Sequence, residues 1–197
     1  MTPVPERERL YVSIGVIWFL AALAVGASGI LTRTGPTVPQ SSLVALTVLL
    51  IAAGVLVASF RSWLAVVDLR VPIAIHLSRF VGLYFLLLYS RGLLPFDFAV
   101  LGGWGDLLVA VTALAFILVS RDPAAHRGLL WIWNLLGFFD IVFVVLTAAR
   151  MAAADPPSMG LLRVLPLSLL PTFFVPLIIA SHVLIFWRLG RLRLREA

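Results

Sequence analysis

The sequence predicts an all-α membrane protein of six transmembrane helices in one bundle, with the N- and C-termini in the cytoplasm. Three observations support this fold class. Of the 197 residues, 62% are apolar and only 12% are charged, about half the charged share of an average soluble domain. Apolar runs of about 20 residues, long enough to cross a hydrocarbon core, recur along the chain. The arginines also concentrate in alternate loops, as the positive-inside rule describes.

Runs of this length in lipid are predicted to be helices, because a helix pairs every backbone amide within its own segment. None has the polar outer face that a helix of a soluble bundle requires. The first run is longer than a signal-peptide core, so we expect it to be retained. We predict one transmembrane domain over residues 1–197, with the spans Leu10–Leu31, Leu43–Phe60, Pro72–Ser90, Phe98–Val119, Gly128–Ala149 and Val164–Trp187.

The net charge of +6 is carried by arginine, because the chain has no lysine. The arginines lie in short loops and in the tail rather than on one face, so they predict topology and lipid contact, not nucleic-acid binding. The tail Arg188–Arg195 is expected to contact anionic lipid. One side of the membrane, predicted to be the cytoplasm, receives Arg7, Arg9, Arg61, Arg70, Arg121, Arg127, Arg188, Arg191, Arg193 and Arg195, and the other receives Arg33, Arg91, Arg150 and Arg163.

The amino-acid usage excludes several kinds of chemistry. Without cysteine, the chain forms no disulfide, no thiolate metal site and no thiol nucleophile. Without lysine, it forms no lysine Schiff base, which excludes a retinal protein of the usual kind. A composition rich in Arg, Ala, Gly and Pro but free of Lys is typical of a GC-rich bacterial genome, which predicts the bacterial cytoplasmic (inner) membrane as the location.

The third span carries two polar residues on one face. His76 and Arg79 follow Pro72 at helical positions i and i+3, roughly 6 and 10 Å into the membrane. Two arrangements of Arg79 remain open at this point. Its long stem can carry the guanidinium back to the headgroups, or the side chain can turn inward and neutralise an aspartate.

The fourth and fifth spans are predicted to form a hairpin with one aspartate deep in each helix. Asp106 and Asp140 are equally far from Pro123, the middle of the loop Ser120–Arg127. Both carboxyls are therefore expected at the same depth, about 18–20 Å from the loop end. An aspartate at mid-bilayer costs about 2.5–3.5 kcal/mol on insertion scales, so each is expected to face protein or water. Asn134 is predicted about 9 Å deep.

Small residues predict which face of the fourth helix packs against protein. Gly102, Asp106, Ala110 and Ala113 lie along one stripe of that helix. Small side chains let another helix approach closely, so the stripe is predicted to face the interior rather than lipid.

Three prolines interrupt the sixth span. Pro171 and Pro176 each remove one helical hydrogen bond and thereby free the carbonyls of Leu167 and Thr172. This pattern predicts either a simple kink or a broken helix whose carbonyls line a binding cavity.

The polar residues of the spans support two main hypotheses, because intramembrane ionisable groups are candidates for function. The first is a small transporter or a proton or ion pathway, since two neighbouring carboxyls can hold and release a proton near neutral pH. Its candidate residues are Asp106, Asp140, Arg79 and Asn134, with Arg79 or the freed proline carbonyls completing the site. The alternative is a structural or accessory membrane subunit with a polar packing cluster. The substrate, a homo-oligomer and a membrane partner subunit all stay open.

His76 and His182 support a further hypothesis, a membrane haem or metal protein. His182 is predicted about 8 Å from the cytoplasmic end of the sixth span, level with His76. Two imidazoles at one depth can bind iron from opposite faces, with Arg79 near a propionate.

The tetrapeptide Gly103-Trp104-Gly105-Asp106 matches the pattern G-x-G-D and resembles the signature of presenilin-type and prepilin peptidases. The resemblance implies an intramembrane aspartyl protease in which Asp140 completes a dyad of carboxyls that share one proton. The chain departs from that family in two respects. In presenilin-type proteases the partner aspartate precedes the motif, and this chain has only Leu165-Pro166-Leu167 in place of Pro-Ala-Leu.

A broader set of residues carries a second resemblance. The stretches Arg91–Pro95, Gly105-Asp106 and Trp133–Asp140 resemble those of uncharacterised bacterial multi-pass membrane proteins with six helices. The resemblance implies the six-helix fold and the choice of these aspartates, and it brings no activity with it.

Overall fold

The computed structural model describes residues 4–120 and 122–196, with the side chains of 7–120 and 122–191. Arg121 and the side chains of Arg193 and Arg195, which count toward the predicted cytoplasmic charge, lie outside the described residues. Within the described ranges the fold is all-α, with no strand. The helices are α1 Val4–Ala27, α2 Val38–Leu56, α3 Ala58–Val66, α4 Arg70–Ile75, α5 Val81–Ser90, α6 Gly102–Val119, α7 Arg127–Ala154 and α8 Val175–Glu196.

Six helical stretches of the described chain are long and apolar enough to cross a membrane, which confirms the predicted number and suggests a multi-pass membrane protein. The sixth begins at Leu170 rather than Val164, because Pro166 and Pro171 have no N–H to donate to a helix there. The six stretches are Arg7–Ala27, Val38–Leu56, Arg70–Ser90, Asp97–Val119, Pro123–Ala154 and Leu170–Arg191.

The chain divides into two compact units, and the first contains the described residues up to Val67 together with Gly160–Pro176. The prediction of one transmembrane domain is not tested by this division and stays a prediction. In this unit the second span lies earlier in the chain than predicted: it begins at Val38 rather than Leu43, and it ends at Leu56 because the backbone turns at Val57 and α3 follows directly. Arg61 donates to the carbonyl of Val55 over 2.8 Å and so pairs one of the free carbonyls at the end of α2.

The carbonyls freed by the prolines lie in this first unit and are both paired. The indole Nε1 of Trp18 donates to the Thr172 carbonyl over 3.0 Å. The backbone N–H of Leu170 donates to the Leu167 carbonyl over 3.0 Å. Each of the two carbonyls therefore already accepts one hydrogen bond, and their part in a polar site stays a prediction.

The second unit consists of the described residues of Asp68–Met159 and the chain from Leu177 onward. Its third span is not one regular helix, because a 3₁₀ segment, His76–Phe80, joins α4 to α5. The segment packs against α6, and α6 also packs against α5 and α7. An apolar core of this unit contains Leu69, Ile73, Val109, Ala113, Leu130, Trp133, Ile185 and Leu189.

The predicted stripe of α6 faces the interior. Gly102, Asp106, Ala110 and Ala113 are all buried, as expected for small residues at a helix contact. Farther around α6, Gly103 lies against Gly82 of α5 so closely that a Cβ at position 82 would collide with the Gly103 carbonyl. This close approach of two backbones brings the third span within reach of Asp106.

Candidate functional site

Arg79 turns inward, which decides between the two arrangements that the sequence leaves open. In a 3₁₀ helix residues i and i+3 lie one above the other, so the segment aligns His76 and Arg79 on one face. The Arg79 side chain is only 1% exposed, and its guanidinium is therefore inside the protein rather than at the headgroups.

The guanidinium of Arg79 binds both predicted aspartates. Its Nε donates to Asp106 Oδ1 over 2.6 Å, and its Nη2 donates to Asp140 Oδ2. Its Nη1 donates to the backbone carbonyl of Gly137 over 3.0 Å. We call Arg79, Asp106 and Asp140 the arginine cluster. Its geometry confirms that α6 and α7 are neighbours and that their carboxyls lie at one level.

Glycine makes room for the second carboxyl. A Cβ built on Gly105 of α6 would overlap Oδ1 of Asp140, so the carboxyl of α7 occupies the space that a side chain at position 105 would fill. Glycine is required here for its missing side chain and not for its backbone conformation. In the sequence, Gly105 stands out only as part of the G-x-G-D pattern and of the Gly105-Asp106 stretch.

The arginine cluster has one more acid than base. Arginine stays protonated in proteins, so two ionised carboxylates would leave the cluster with one net negative charge. A buried charge without a counterion is costly, so one further positive charge or one proton is needed to neutralise the cluster. The two carboxyls also differ in access, because the Asp140 side chain is 20% exposed and that of Asp106 only 5%.

His76 and His182 form a second buried polar group, which we call the histidine pair. Both residues are 0% exposed, and their rings lie 4.3 Å apart between centroids with a tilt of 56°. The Oγ of Ser181 lies 2.9 Å from His76 Nε2. The indole of Trp133 packs against His76 with centroids 5.0 Å apart. Neither Ser181 nor Trp133 was predicted at this site, since each resembles an ordinary packing residue in the sequence.

Asn134 belongs to the histidine pair and not to the arginine cluster. Its Oδ1 lies 2.8 Å from His182 Nδ1, and its Nδ2 donates to the His182 backbone carbonyl over 3.1 Å. The structure therefore brings all six predicted residues into the second unit, but in two groups. Gly137 lies between the groups, because its carbonyl accepts from Arg79 and a Cβ there would come within 2.9 Å of His182 Cε1.

The histidine pair does not fit a haem bound from two sides. With metal–nitrogen bonds of about 2 Å on each face, the two ring centroids would stand roughly 6 Å apart with the porphyrin between them. The rings of His76 and His182 are instead in direct contact. Among the described residues, no group of three or more His, Cys, Asp or Glu is arranged to hold a metal ion.

The arginine cluster does not fit an aspartyl-protease dyad. Such a dyad shares one proton between two carboxyls. Here Asp106 and Asp140 each hydrogen-bond the Arg79 guanidinium rather than each other.

Comparison with known proteins gives one match. A family model described as a domain of unknown function (DUF8737) matches residues 36–190, which is most of the chain. The matched region begins after α1 and contains every residue of the arginine cluster and the histidine pair. No curated protein and no solved structure matches the chain.

Proposed function

The chain belongs to this family of unknown function, and we propose that it is a small proton or cation pathway of the bacterial cytoplasmic membrane. The observation that carries the proposal is the sharing of one guanidinium between two carboxyls. A cluster that only holds helices together needs one acid for one base. The second carboxyl therefore supplies a place for one exchangeable positive charge.

The difference in exposure supports a separate role for each carboxyl. Asp106 is buried against Arg79 and is the permanent counterion of the guanidinium. Asp140 binds the same guanidinium but keeps part of its carboxyl accessible, so it takes up and releases the proton or cation. When Asp140 is loaded, the cluster is neutral. When it is unloaded, the cluster carries one negative charge that attracts the next cation.

The arginine distribution supports the proposed orientation. Positive charge is enriched in loops on the cytoplasmic side of membrane proteins, and the larger arginine set includes both ends of the chain. Lipid is the partner that the apolar helices imply. A homo-oligomer or a membrane partner subunit stays a prediction.

The decisive experiment measures proton flux into proteoliposomes that contain a pH-sensitive dye. We expect Asp140→Asn to reduce the flux to that of empty liposomes. The variant should still fold, since Arg79 still forms its ion pair with Asp106 and that pair is balanced in charge. Asp97→Asn is the matched control, because Asp97 is an exposed aspartate that pairs with Arg150 over 3.5 Å outside the cluster.

A second candidate function is a structural or accessory membrane subunit. The observation in its favour is that all three nitrogens of the Arg79 guanidinium are hydrogen-bonded, as in a packing cluster. Under this reading the Asp140→Asn and Asp106→Asn proteins have the same flux as the wild type and differ only in stability. That result would contradict the pathway proposal.

A further inference from the structure

The histidine pair contains two ring nitrogens without a hydrogen-bond partner of good geometry among the described residues, although the Gly137 backbone lies beside His182. They are Nδ1 of His76 and Nε2 of His182, and both are buried. Buried polar atoms are nearly always paired, so two such atoms on touching rings need a physical explanation.

The neighbouring hydrogen bonds fix which nitrogen of each ring carries the proton. Ser181 Oγ donates its hydrogen to the Ile178 carbonyl over 2.7 Å, so it accepts from His76 Nε2–H. Asn134 uses its amide to donate to the His182 carbonyl, so its Oδ1 accepts from His182 Nδ1–H. Each ring is therefore neutral, and each has one bare lone pair inside the protein.

The pair lies next to the arginine cluster along α7. Asn134, Gly137 and Asp140 follow at intervals of three residues on α7. Asn134, which contacts the histidine pair, and Asp140, which contacts Arg79, are therefore about 9 Å apart along the helix axis. Gly137 contacts both groups, with its carbonyl on Arg79 and its backbone against the His182 ring. Among the described residues, the charged group that acts on both rings is Arg79, on the same span as His76. Asp106 on α6 and Asp140 on α7 bind that guanidinium.

We propose that the histidine pair is a second proton-accepting site, which exchanges protons with the arginine cluster at the bare nitrogens His76 Nδ1 and His182 Nε2. This inference rests on the proposed proton pathway, and in it the histidine pair forms the half of the pathway on the cytoplasmic side. A proton from hydronium on the cytoplasmic side forms an N–H bond at one lone pair. Transfer through intervening water breaks that N–H bond and forms an O–H bond on the Asp140 carboxylate. The imidazolium and the carboxylate both become neutral, and no electron is exchanged.

The first test is ¹⁵N NMR of the lipid-reconstituted protein labelled at histidine. The chain has three histidines, and the exposed His126 serves as the internal reference. At high pH we expect His76 to be protonated at Nε2 and His182 at Nδ1. On acidification over the range in which flux is measured, the bare nitrogens should take up a proton. Reversed tautomers, or rings that stay neutral over that range, would overturn the inference.

The second test uses variants that keep the hydrogen bonds and remove only the bare nitrogens. The amide of His76→Gln replaces the Nε2 donor to Ser181, and the amide of His182→Asn replaces the Nδ1 donor to Asn134. We expect each to lower proton flux about tenfold or more, as for loss of a proton-transfer group. His126→Gln is the control and should leave the flux unchanged.

The outcomes separate this inference from the proposed function. If Asp140→Asn abolishes flux while His76→Gln and His182→Asn conduct like the wild type, the histidine pair is structural and the inference is wrong. If Asp140→Asn leaves the flux unchanged, the pathway proposal itself fails. Loss of flux in the aspartate and both histidine variants, with the predicted tautomers, supports both.

Discussion

Arg79 and Arg163 use the same side chain in two different ways. Arg163 is half-buried, and its acceptors among the described residues are the backbone carbonyls of Leu31, Thr32 and Thr34, where a short helical segment ends. Arg79 is fully buried and donates to one carbonyl and two carboxyls. Arg163 shows that carbonyl acceptors suffice where an arginine only closes a loop. The two carboxyls on Arg79 therefore exceed what packing requires.

The largest expected effect comes from removing each arginine. Arg79→Ala leaves two carboxyls buried without their cation, so we expect the free energy of unfolding to fall by about 3–5 kcal/mol. Arg163→Ala loses charge-assisted hydrogen bonds to carbonyls and should cost only about 1.5–3 kcal/mol. Thermal unfolding in lipid nanodiscs measures both values.

A triple variant sharpens this comparison. Adding Asp106→Asn and Asp140→Asn to Arg79→Ala removes the unpaired charges and should restore most of the lost stability. The charge argument fails if Arg79→Ala lowers the free energy of unfolding no more than Arg163→Ala does. It also fails if the triple variant is no more stable than Arg79→Ala.

Gly105→Ala tests the space that admits the second carboxyl. The new Cβ overlaps Asp140 Oδ1, so the carboxyl must move away from Arg79. We expect a loss of about 1–3 kcal/mol in stability and a loss of proton flux. Gly128→Ala is the matched control in the same pair of helices, because a Cβ there meets nothing within 4 Å. Equal flux in the two variants would show that the position of Asp140 is unimportant.

The smallest expected effect concerns a carbonyl paired by a neutral donor. Trp18→Phe removes the hydrogen bond to the Thr172 carbonyl and keeps an aromatic ring beside Phe173. A single hydrogen bond of this kind in a membrane protein is worth about 0.6 kcal/mol on average. We expect a small loss of stability and wild-type flux. A loss of flux would mean that the first unit takes part in the pathway.

The features that depend on local pattern were predictable from the sequence. Apolar length gives the six spans, and small-residue spacing gives the buried stripe of α6 around Asp106. Equal distance from Pro123 places Asp106 and Asp140 at one level, because helix rise is constant. The interior position of these aspartates follows from the cost of a carboxylate in lipid.

The features that depend on helix rotation and register were not predictable. The predicted depth of Arg79 in the membrane is about the length of its side chain. The side-chain length alone therefore does not decide whether the guanidinium lies at the headgroups or in the protein interior. The partner of Asn134 is His182, which is set by the register of α8 against α7. No proline or glycine follows Leu56 to signal the end of α2, and Arg61 pairs a carbonyl there only in the folded chain.

The central claim is that the arginine cluster holds one exchangeable proton, and infrared spectroscopy tests it most directly. Near neutral pH, exposed carboxyls are ionised, since their usual pKa lies at about 4. We predict one protonated-carboxyl C=O band whose intensity changes with pH in the wild type. The band should vanish in both Asp106→Asn and Asp140→Asn, because Arg79 balances the one carboxylate that remains. A wild-type spectrum without such a band, or a band that persists in both variants, would contradict the account.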